Sequence, residues 1–486
     1  MNSSKILIIN EPFVKDFCRT QRWAARTRGR VLRAPDWLAY ATSVLERDDF
    51  DVELYDFPAK NWDKDKLHEL ISEKQPALVI LDSTTPSIYS DIDCARICKT
   101  ASPNTNVLMI GPHVSSLPEE TLLEANGFVD AVAIGEYDYT VRDYAKAVIN
   151  NQPLKDVKGI AYLEGGNVMF TPARPLIENL DELPYPAWHH LNLWDYFDGT
   201  KLYPYIDIIG GRGCPFKCIF CLWPQVMHGN KYRLRSAENI IEEIKWVLKN
   251  WPKAIEGEFF FEDDTFTVNK KRAHEFCDLL IKNNLKCTWS VNSRADVIDK
   301  DLFRHMKKAG CRLLLIGFES GSQIMLDNMH KNITVQKMEE FIKIVRSEGL
   351  QIHGCFVLGL PGETKETMEE TIKFALRNPL NTVQFSGAVP FPGTKYFNYI
   401  KENNLLRAKR WDEWLKDGEQ SPVIDYPGLS RGEIEKTVDS ALKRFYFRPS
   451  YMIRFLFETR SKADLYRKLR GARNFLSYLM EKKKGG

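Results

Sequence analysis

The sequence lacks any apolar run long enough to cross a membrane, since no stretch approaches the roughly 18 residues that a spanning helix needs. Its start, MNSSKILIIN, lacks the basic, apolar and small-residue sections of a secretory signal. Both absences predict a cytoplasmic protein. In that reducing compartment, clustered cysteines are more often metal-binding or catalytic than disulfide-bonded.

The chain also has little net charge, +3 over 486 residues, and its 44% hydrophobic content is typical of a globular protein with more than one domain. Positive charge is concentrated at the C-terminus, where residues 441–486 contain 13 lysines and arginines against three acids. Aromatic and aliphatic residues alternate with these cations, a pattern that suits peripheral contact with the inner face of an anionic membrane, or contact with an acidic or amphiphilic partner. The favoured interpretation is a surface helix pair with a solvated basic face, because surface helices are far more common than interfacial ones. No nucleic-acid partner is expected.

Short β-rich runs alternate with helical patterns through residues 1–150 and predict a doubly wound parallel sheet. The runs are KILIIN, DVELYDF, PALVILDST, NVLMIG and DAVAIGE. Ligands of such sheets bind beyond the carboxyl ends of the strands. Small and polar loops follow three of these runs, within DSTTPS, GPH and GEYD.

Residues 151–200 contain a hairpin-like stretch, GIAYLEGGNVMF, and the proline-rich linker DELPYPAWHHL. A second alternation then fills residues 201–400, and its six strand runs predict a partial (β/α)6 barrel with chemistry at the carboxyl strand ends. These runs are YIDIIG, GEFFFED, CTWSVNS, RLLLIGFES, IHGCFVLGL and TVQFSGAVP. Residues 401–486 are predicted to form a helical, basic C-terminal region.

Three cysteines, Cys214, Cys218 and Cys221, follow the first barrel strand with no fourth close by. Three thiolates can hold three irons of a [4Fe-4S] cluster and leave the fourth iron for an outside ligand. A structural zinc site would need a fourth protein ligand, for which His228 is the nearest candidate at an unusual spacing. The pattern favours the cluster. The remaining cysteines considered are predicted to be core residues: Cys94, Cys98, Cys277, Cys287, Cys311 and Cys355.

At these residues the sequence resembles the radical S-adenosylmethionine (SAM) enzymes, whose CxxxCxxC motif Cys214, Cys218 and Cys221 match, with Phe220 before the last cysteine. Further segments are similar to the subgroup with an N-terminal cobalamin (B12)-binding domain. They are STTPS, GPHVSSLPEETL, VDAVAIGEYDYT, FFFEDDTFT, NSRADVID, IGFESGSQ, LGLPGETKET and PFPGT. The resemblance implies a Rossmann-like B12-binding domain followed by a radical SAM barrel.

The resemblance also implies contacts to SAM. Glu262, Asp263 and Asp264 are expected at its ammonium, although they could instead cap the helix predicted from near Asn269. Arg294 is expected at the carboxylate, because its planar fork gives paired bonds. Two further sets complete the expectation: Glu319 or Ser320 at the ribose, and the turn containing Gly359 and Pro361 near the adenine.

For cobalamin, the resemblance implies contacts from the loops at the carboxyl ends of the N-terminal strands. The DxHxxG segment that supplies a lower axial histidine in methionine-synthase-like proteins is absent from the sequence. His113 can instead be a loop-shaping residue. The expected cobalamin residues are Ser83, Thr84, Thr85, Gly111, His113, Gly135 and Glu136.

The implied activity is cleavage of SAM to a 5′-deoxyadenosyl radical that takes hydrogen from an unactivated carbon, followed by methyl transfer from methylcobalamin. The alternatives are ring contraction, cyclisation or C–C coupling without methyl transfer, and a sensor or carrier without turnover. The basic tail and the cationic, aromatic segment at residues 19–38 favour a hydrophobic or amphiphilic substrate, either a lipid or a natural product. That segment also weakly resembles hopanoid-tailoring members. A flavodoxin or ferredoxin is the expected electron donor.

Overall fold

Two parallel β-sheets covered by helices make up most of the protein, whose computed structural model describes residues 4–20, 24–416, 418–459 and 461–484. The first sheet has seven strands in the order β2-β1-β3-β4-β5-β6-β7. Strands β1 to β5 are parallel and almost wholly buried, because helices cover both faces. The strands are β1 Ile6–Asn10, β2 Val52–Asp56, β3 Leu78–Asp82, β4 Asn106–Ile110, β5 Ala131–Ala133, β6 Ile160–Glu164 and β7 Asn167–Phe170.

The doubly wound arrangement predicted from sequence is thereby confirmed. Beyond that prediction, the hairpin of β6 and β7 adds two antiparallel strands to the same sheet, next to β5. The helices of this part are α1 Asp36–Arg47, α2 Phe57–Lys60, α3 Lys64–Lys74, α4 Ile88–Ala101, α5 Pro112–Ser116, α6 Pro118–Glu124 and α7 Asp138–Ile149.

The second sheet contains the six predicted barrel strands, all parallel and hydrogen-bonded in sequence order. They are β8 Tyr205–Ile208, β9 Glu258–Phe261, β10 Trp289–Ser293, β11 Cys311–Glu319, β12 Gln351–Leu358 and β13 Thr382–Gly387. The helices here are α8 Ala237–Asn250, α9 Lys270–Lys282, α10 Lys300–Lys308, α11 Gln323–Asn328, α12 Val335–Ser347, α13 Lys365–Arg377 and α14 Lys395–Glu402. Three ribbons of two-residue strands lie outside both sheets.

Three C-terminal helices complete the partial barrel. They are α15 Arg431–Tyr446, α16 Pro449–Phe457 and α17 Lys462–Lys484. The Tyr446 hydroxyl joins α15 to the last barrel strand, because it accepts a bond from the backbone N–H of Val383 at 3.0 Å and donates to the Val383 carbonyl at 2.6 Å. Within the described ranges, none of the helices has both the length and the hydropathy to cross a bilayer.

Candidate active site

The loop after β8 presents the three cysteines, and its backbone is held by two side-chain amides. The Nε2 of Gln225 donates to the carbonyls of Ile219 at 3.1 Å and Cys221 at 2.7 Å. The Nδ2 of Asn230 donates to the Cys214 carbonyl at 3.0 Å. Because these bonds are made to carbonyl oxygens, they shape the loop without engaging the thiols.

Gly213, directly before the first cysteine, is required by the loop geometry. Its φ is +85°, and a Cβ added there would lie 2.3 Å from the carbonyl oxygen of Lys231. A larger residue would suffer both left-handed backbone strain and a backbone collision.

All three cysteines line a single cavity of about 790 Å³ inside the partial barrel. Cavities of this size hold small-molecule ligands and cofactors. Four of the residues expected to contact SAM line the same cavity: Glu262, Asp264, Arg294 and Glu319. The structure therefore brings half of the eight expected SAM residues together with the thiols.

Arg294 is oriented by neighbours on two sides. Its guanidinium carbon lies 3.5 Å from the ring centroid of Phe216, in the cysteine loop. Its Nη2 donates to Asp296 at 2.6 Å and to the Lys331 carbonyl at 2.9 Å. Burial lowers its pKa, but the bond to Asp296 and the charges of Asp296 and the nearby cysteines outweigh burial and leave the pKa raised. Arg294 is thus a fixed cation beside the cysteine loop.

Glu319 ends β11 in a left-handed conformation, with φ at +67°. Its Oε1 accepts a bond from the Nζ of Lys331 at 2.9 Å inside the cavity wall. A non-glycine residue with positive φ is uncommon and is typical of sites where the surroundings fix a side-chain direction. The neighbouring Ser320 does not line the cavity, because its buried hydroxyl bonds to the Thr371 hydroxyl at 2.8 Å.

The three consecutive acids after β9 have different surroundings. Glu262 lines the cavity and accepts a bond from Nη1 of Arg33 at 3.0 Å. Asp263 lies behind the wall, where its carboxylate accepts bonds from the Gly210 N–H at 2.6 Å and Arg272 Nη2 at 2.9 Å. Asp264 lines the cavity.

None of these acids caps helix α9, because Asn269 does so by accepting a bond from the backbone N–H of Arg272 at 3.0 Å. The capping alternative was therefore wrong.

Gly359 and Pro361 form a turn outside the cavity lining. Gly359 has φ +92°, and its carbonyl accepts bonds from the hydroxyls of Tyr396 at 3.2 Å and Tyr426 at 3.0 Å. The Pro361 carbonyl accepts a bond from Asn328 at 3.2 Å. These contacts brace the turn within the protein.

Several cavity residues carried no recognisable sequence signal. Cys355, predicted to be a core residue, is instead part of the cavity wall, since alternate residues of β12 point into the barrel. Burial raises the pKa of its thiol to about 12. His353, two residues earlier, also lines the cavity, and burial lowers its pKa to about 4. The other five cysteines predicted to be core residues are buried.

The strand-end residues of the first sheet lie where the sequence predicts, and the polar groups of Ser83, Thr84 and Gly135 bond to neighbouring residues of the same edge. The Ser83 hydroxyl donates to the Ile110 carbonyl at 2.7 Å, and the hydroxyls of Thr84 and Ser87 are 2.7 Å apart. A Cβ on Gly111 would lie 2.5 Å from the Ser83 carbonyl oxygen, so this loop packs backbone against backbone. The Gly135 N–H donates to the Ser115 hydroxyl at 3.0 Å.

His113 is buried at this edge by a C-terminal residue. Its Nδ1 is 3.1 Å from the Thr85 hydroxyl, and its ring packs edge-on against Trp411 at 5.3 Å between centroids. Burial lowers its pKa to about 3, so the imidazole is neutral. Neither the main cavity nor a gap of about 10 Å³ near Trp37 and Trp223 reaches these strand-end residues.

Glu136 joins the two sheets. Its carboxylate accepts bonds from Arg212 at 2.9 Å and Arg233 at 2.8 Å, and from the backbone N–H of Ile177 at 2.8 Å. Asp138 binds the same Arg212 at 2.6 Å. All of these side chains are buried, so Glu136 is engaged in an interdomain ion pair rather than directed into the cavity.

His228, the possible fourth ligand, packs in the same interface. Its ring lies between Trp37, at 4.4 Å between centroids, and Trp223, at 5.3 Å. Burial, reinforced by the charge of Arg212, lowers its pKa to about 3. This packing identifies His228 as an interdomain contact.

In the cationic segment at residues 19–38, Arg26, Arg28 and Arg30 contact α17, whereas Arg19 pairs with Asp91 of the N-terminal domain at 2.7 Å. Positions 21–23 fall outside the described residues. Arginines of the segment are paired with acids: Arg28 with Asp439 at 3.0 Å, and Arg30 with Glu481 at 2.7 Å. Arg33 bonds Glu262 and Asp198, at 3.0 and 3.1 Å. The segment covers one side of the cavity, and acids offset the charges of Arg28, Arg30 and Arg33.

Comparison with known proteins matches two family models. Residues 208–375 match the radical SAM superfamily, and residues 34–145 match the B12 binding domain. An uncharacterized methyltransferase from Pyrococcus horikoshii is 34% identical over 425 residues, covering 87% of this chain and 90% of the relative. The anaerobic magnesium-protoporphyrin IX monomethyl ester cyclase of Cereibacter sphaeroides is 29% identical over 423 residues, covering 85% of this chain and 67% of the relative.

Two solved structures share the fold along the chain. The radical SAM methyltransferase TsrM from Kitasatospora setae, with cobalamin and a [4Fe-4S] cluster bound, superposes with a TM-score of 0.72 at 15% identity, covering 99% of this chain and 100% of TsrM. The cobalamin-dependent SAM radical enzyme OxsB superposes with a TM-score of 0.72 at 16% identity, covering 99% of this chain and 71% of OxsB. This similarity extends to the order of the B12-binding and barrel domains.

Proposed function

Because the chain belongs to the radical SAM superfamily and carries a B12-binding domain, we propose that it is a C-methyltransferase acting on an unactivated carbon of a hydrophobic or amphiphilic small molecule. The observation that carries the proposal is the convergence of the three cysteines, Arg294, Asp264 and Glu319 on one cavity. The cofactors of this family are a [4Fe-4S] cluster, SAM and, with the B12 domain, cobalamin. When bound, they supply a 5′-deoxyadenosyl radical for hydrogen abstraction and a methyl group for transfer.

The donor set fits the cluster. The thiols of Cys214, Cys218 and Cys221 are partly exposed, unlike the buried core cysteines, and all face the cavity. Three thiolates suffice for three irons, so the fourth would be open to the amino and carboxylate groups of SAM. The role of the chain is to hold these thiolates in a loop whose carbonyls are already bonded.

Arg294 is proposed to bind the SAM carboxylate, since it is a fixed cation beside the cysteine loop. Glu262 and Asp264 are the proposed partners of the ammonium group, because both line the cavity that the three cysteines line. Glu319 is proposed to accept bonds from the ribose hydroxyls, with Lys331 holding its carboxylate. Asp263, Ser320, Gly359 and Pro361 lie outside the cavity lining, so no contact with SAM is proposed for them.

The residues expected to bind cobalamin lie at the right edge of the first sheet, but contacts between the domains leave no room there for a corrin ring. The expected residues lie at the carboxyl ends of β3, β4 and β5, where ligands of such sheets bind. Trp411 packs on His113, and the Ser116 hydroxyl donates to the Pro392 carbonyl at 2.9 Å. A corrin ring could lie at this edge only if these contacts separated.

We infer the substrate class from the part of the cavity wall that lies away from the three cysteines. Away from the thiols, the wall includes the aromatic and aliphatic residues Leu313, Leu315, Phe385, Tyr446 and Phe475, together with polar and charged residues such as Gln384 and Arg467. Such a lining binds apolar carbon skeletons, and its few polar groups would orient them. A flavodoxin or ferredoxin remains the proposed electron donor.

The test is anaerobic reconstitution with iron, sulfide and hydroxocobalamin, followed by reductant and methyl-labelled SAM, with products identified by mass spectrometry. Labelled methylcobalamin together with 5′-deoxyadenosine supports the methyltransferase. 5′-Deoxyadenosine without labelled methylcobalamin supports cyclisation or rearrangement, the activity class named for the Cereibacter relative. Absence of 5′-deoxyadenosine contradicts both.

A further inference from the structure

Exposed apolar side chains are concentrated on the last two helices and the residue that precedes them. On α17, Leu465, Leu469, Leu476 and Met480 are between 43% and 60% exposed. Their spacing of four, seven and four residues places them in one stripe along the helix. With the exposed residues near and on α16, they form what we name the apolar face: Phe447, Met452, Ile453, Phe457, Leu465, Tyr466, Leu469, Leu476 and Met480.

The surroundings of the apolar face carry excess positive charge. The three acids of residues 441–486 are each paired with a cation: Glu458 with Arg346, Asp464 with Arg467, and Glu481 with Arg30. Lys462 and Arg473 are exposed on α17, the helix that carries the apolar stripe. The face therefore combines exposed apolar groups with cations, as helices that lie in the plane of an anionic bilayer do.

The apolar face is continuous with the cavity. Phe447, Met452 and Leu476 are about half exposed, at 51%, 57% and 48%, and all three also line the cavity wall. The mouth of the cavity on this side is thus surrounded by the same residues that face solvent. An amphiphilic molecule could therefore pass from the face to the barrel interior along these apolar side chains, with Arg454, Arg467 and Lys468 lining the same part of the cavity for its polar end.

We propose that the apolar face docks on the surface of an anionic membrane and that the cavity receives an amphiphilic substrate directly from the bilayer. The second part deepens the proposed function and rests on it, whereas the docking does not. Charge decides between a membrane and a second copy of the chain. Two copies meeting through this face would bring two basic tails together, while anionic lipid headgroups attract them by about 1 kcal/mol per cation near the surface.

The test is sedimentation of the full chain with vesicles of phosphatidylglycerol and phosphatidylcholine, compared with phosphatidylcholine alone. The test variant combines Leu465→Ser, Leu469→Ser and Met480→Ser, which lie outside the cavity lining. The matched control combines Leu123→Ser, Ile281→Ser and Ile324→Ser, three exposed apolar residues elsewhere on the surface. All six side chains are exposed, so neither variant disturbs the core.

We expect the wild-type chain and the control to bind the anionic vesicles, and the test variant to bind at least about tenfold more weakly. Raising the salt concentration should weaken wild-type binding, because the headgroup attraction is screened. Equal binding by the test variant and the control overturns the proposal. So does a wild-type dimer in solution that the test variant converts to a monomer.

Formation of 5′-deoxyadenosine, measured on the same preparations without vesicles, keeps the two proposals distinguishable. Vesicle binding that depends on the apolar face, without SAM cleavage, supports the docking and contradicts the proposed function. SAM cleavage without vesicle binding supports the proposed function and contradicts the docking.

Discussion

At the residue scale, neighbouring side chains of one type have different surroundings. Asp263 and Asp264 are equivalent by resemblance, but the first is wholly buried against Arg272 and the second lines the cavity. The sequence identifies the acidic segment because it follows a barrel strand. It cannot say which carboxylate faces the ligand, because that depends on the backbone path after the strand ends.

We predict that substitutions of the neighbouring Asp263 and Asp264 affect different properties, the first the stability to unfolding and the second the binding of SAM. Asp263→Asn should lower the stability to unfolding by about 3–5 kcal/mol, because it leaves the buried Arg272 without its charge partner. Asp264→Asn should raise the KM for SAM about tenfold or more, through loss of a charged hydrogen bond to the ammonium group. Urea titration and 5′-deoxyadenosine kinetics measure the two effects. If Asp263→Asn raised the KM for SAM and left the stability normal, Asp263 and not Asp264 would be the residue that binds SAM.

His113 predicts a dependence of stability on pH. Its pKa in the folded chain is about 3, against about 6.5 when unfolded, so between these values only the unfolded chain binds the proton. Stability must therefore fall as the pH drops below about 6.5, with a slope of up to about 1.4 kcal/mol per pH unit from this residue.

The variant His113→Asn should lose that slope, so its stability relative to wild type should rise between pH 7 and pH 5 in urea titrations. Substitution of the exposed His330 by Asn is the control and should leave the wild-type pH dependence in place. Parallel curves for wild type and His113→Asn would contradict the lowered pKa, because they would show that His113 binds its proton equally in the folded and unfolded chains.

At the element scale, strand composition and alternation are enough to predict both sheets. All five N-terminal runs and all six barrel runs form parallel strands, because buried parallel strands are nearly continuous in apolar residues. The joining of β6 and β7 to the first sheet was not predictable, since a hairpin pattern does not specify which strand edge it pairs with. The facing direction of Cys355 likewise depends on the register of β12 in the barrel.

The cysteine loop gives a prediction at this scale. Gly213→Ala should reduce the iron bound per chain after reconstitution, because its Cβ collides with the Lys231 carbonyl. Gly428→Ala is the matched control, since Gly428 also has positive φ, at +81°, but no atom within 4 Å of an added Cβ. Both substitutions incur the left-handed strain of about 1–2 kcal/mol, so only the collision distinguishes them. Equal iron contents in the two variants would show that the cysteine loop does not require glycine at position 213.

At the scale of the whole molecule, the resemblance predicts which domains are present but not how they meet. Arg212 and Glu136 are 76 residues apart and join the barrel to the first sheet in a buried ion pair. Glu136 was expected to bind cobalamin because it follows a strand end. Nothing in the sequence indicates that a partner from the other domain occupies its carboxylate.

Glu136→Gln should therefore loosen the contact between the domains. Removing one partner of a buried pair costs about 3–5 kcal/mol, and Arg212 and Arg233 would share the loss. Faster proteolysis within the proline-rich linker at residues 181–191 is the expected readout. Glu164→Gln, at the exposed end of β6, is the control and should be cut at the wild-type rate. Unchanged cleavage of Glu136→Gln would mean that the domains are held by other contacts.

The most direct test of whether the three loop cysteines hold a cluster that cleaves SAM is to measure SAM cleavage by cysteine variants of the reconstituted chain under anaerobic conditions. Cys214→Ala, Cys218→Ala and Cys221→Ala should each lose the visible absorbance of the cluster and form 5′-deoxyadenosine only at background. Cys277→Ala, at a buried core position in α9, should keep both signals. Continued cleavage by a variant lacking all three loop cysteines would contradict the account.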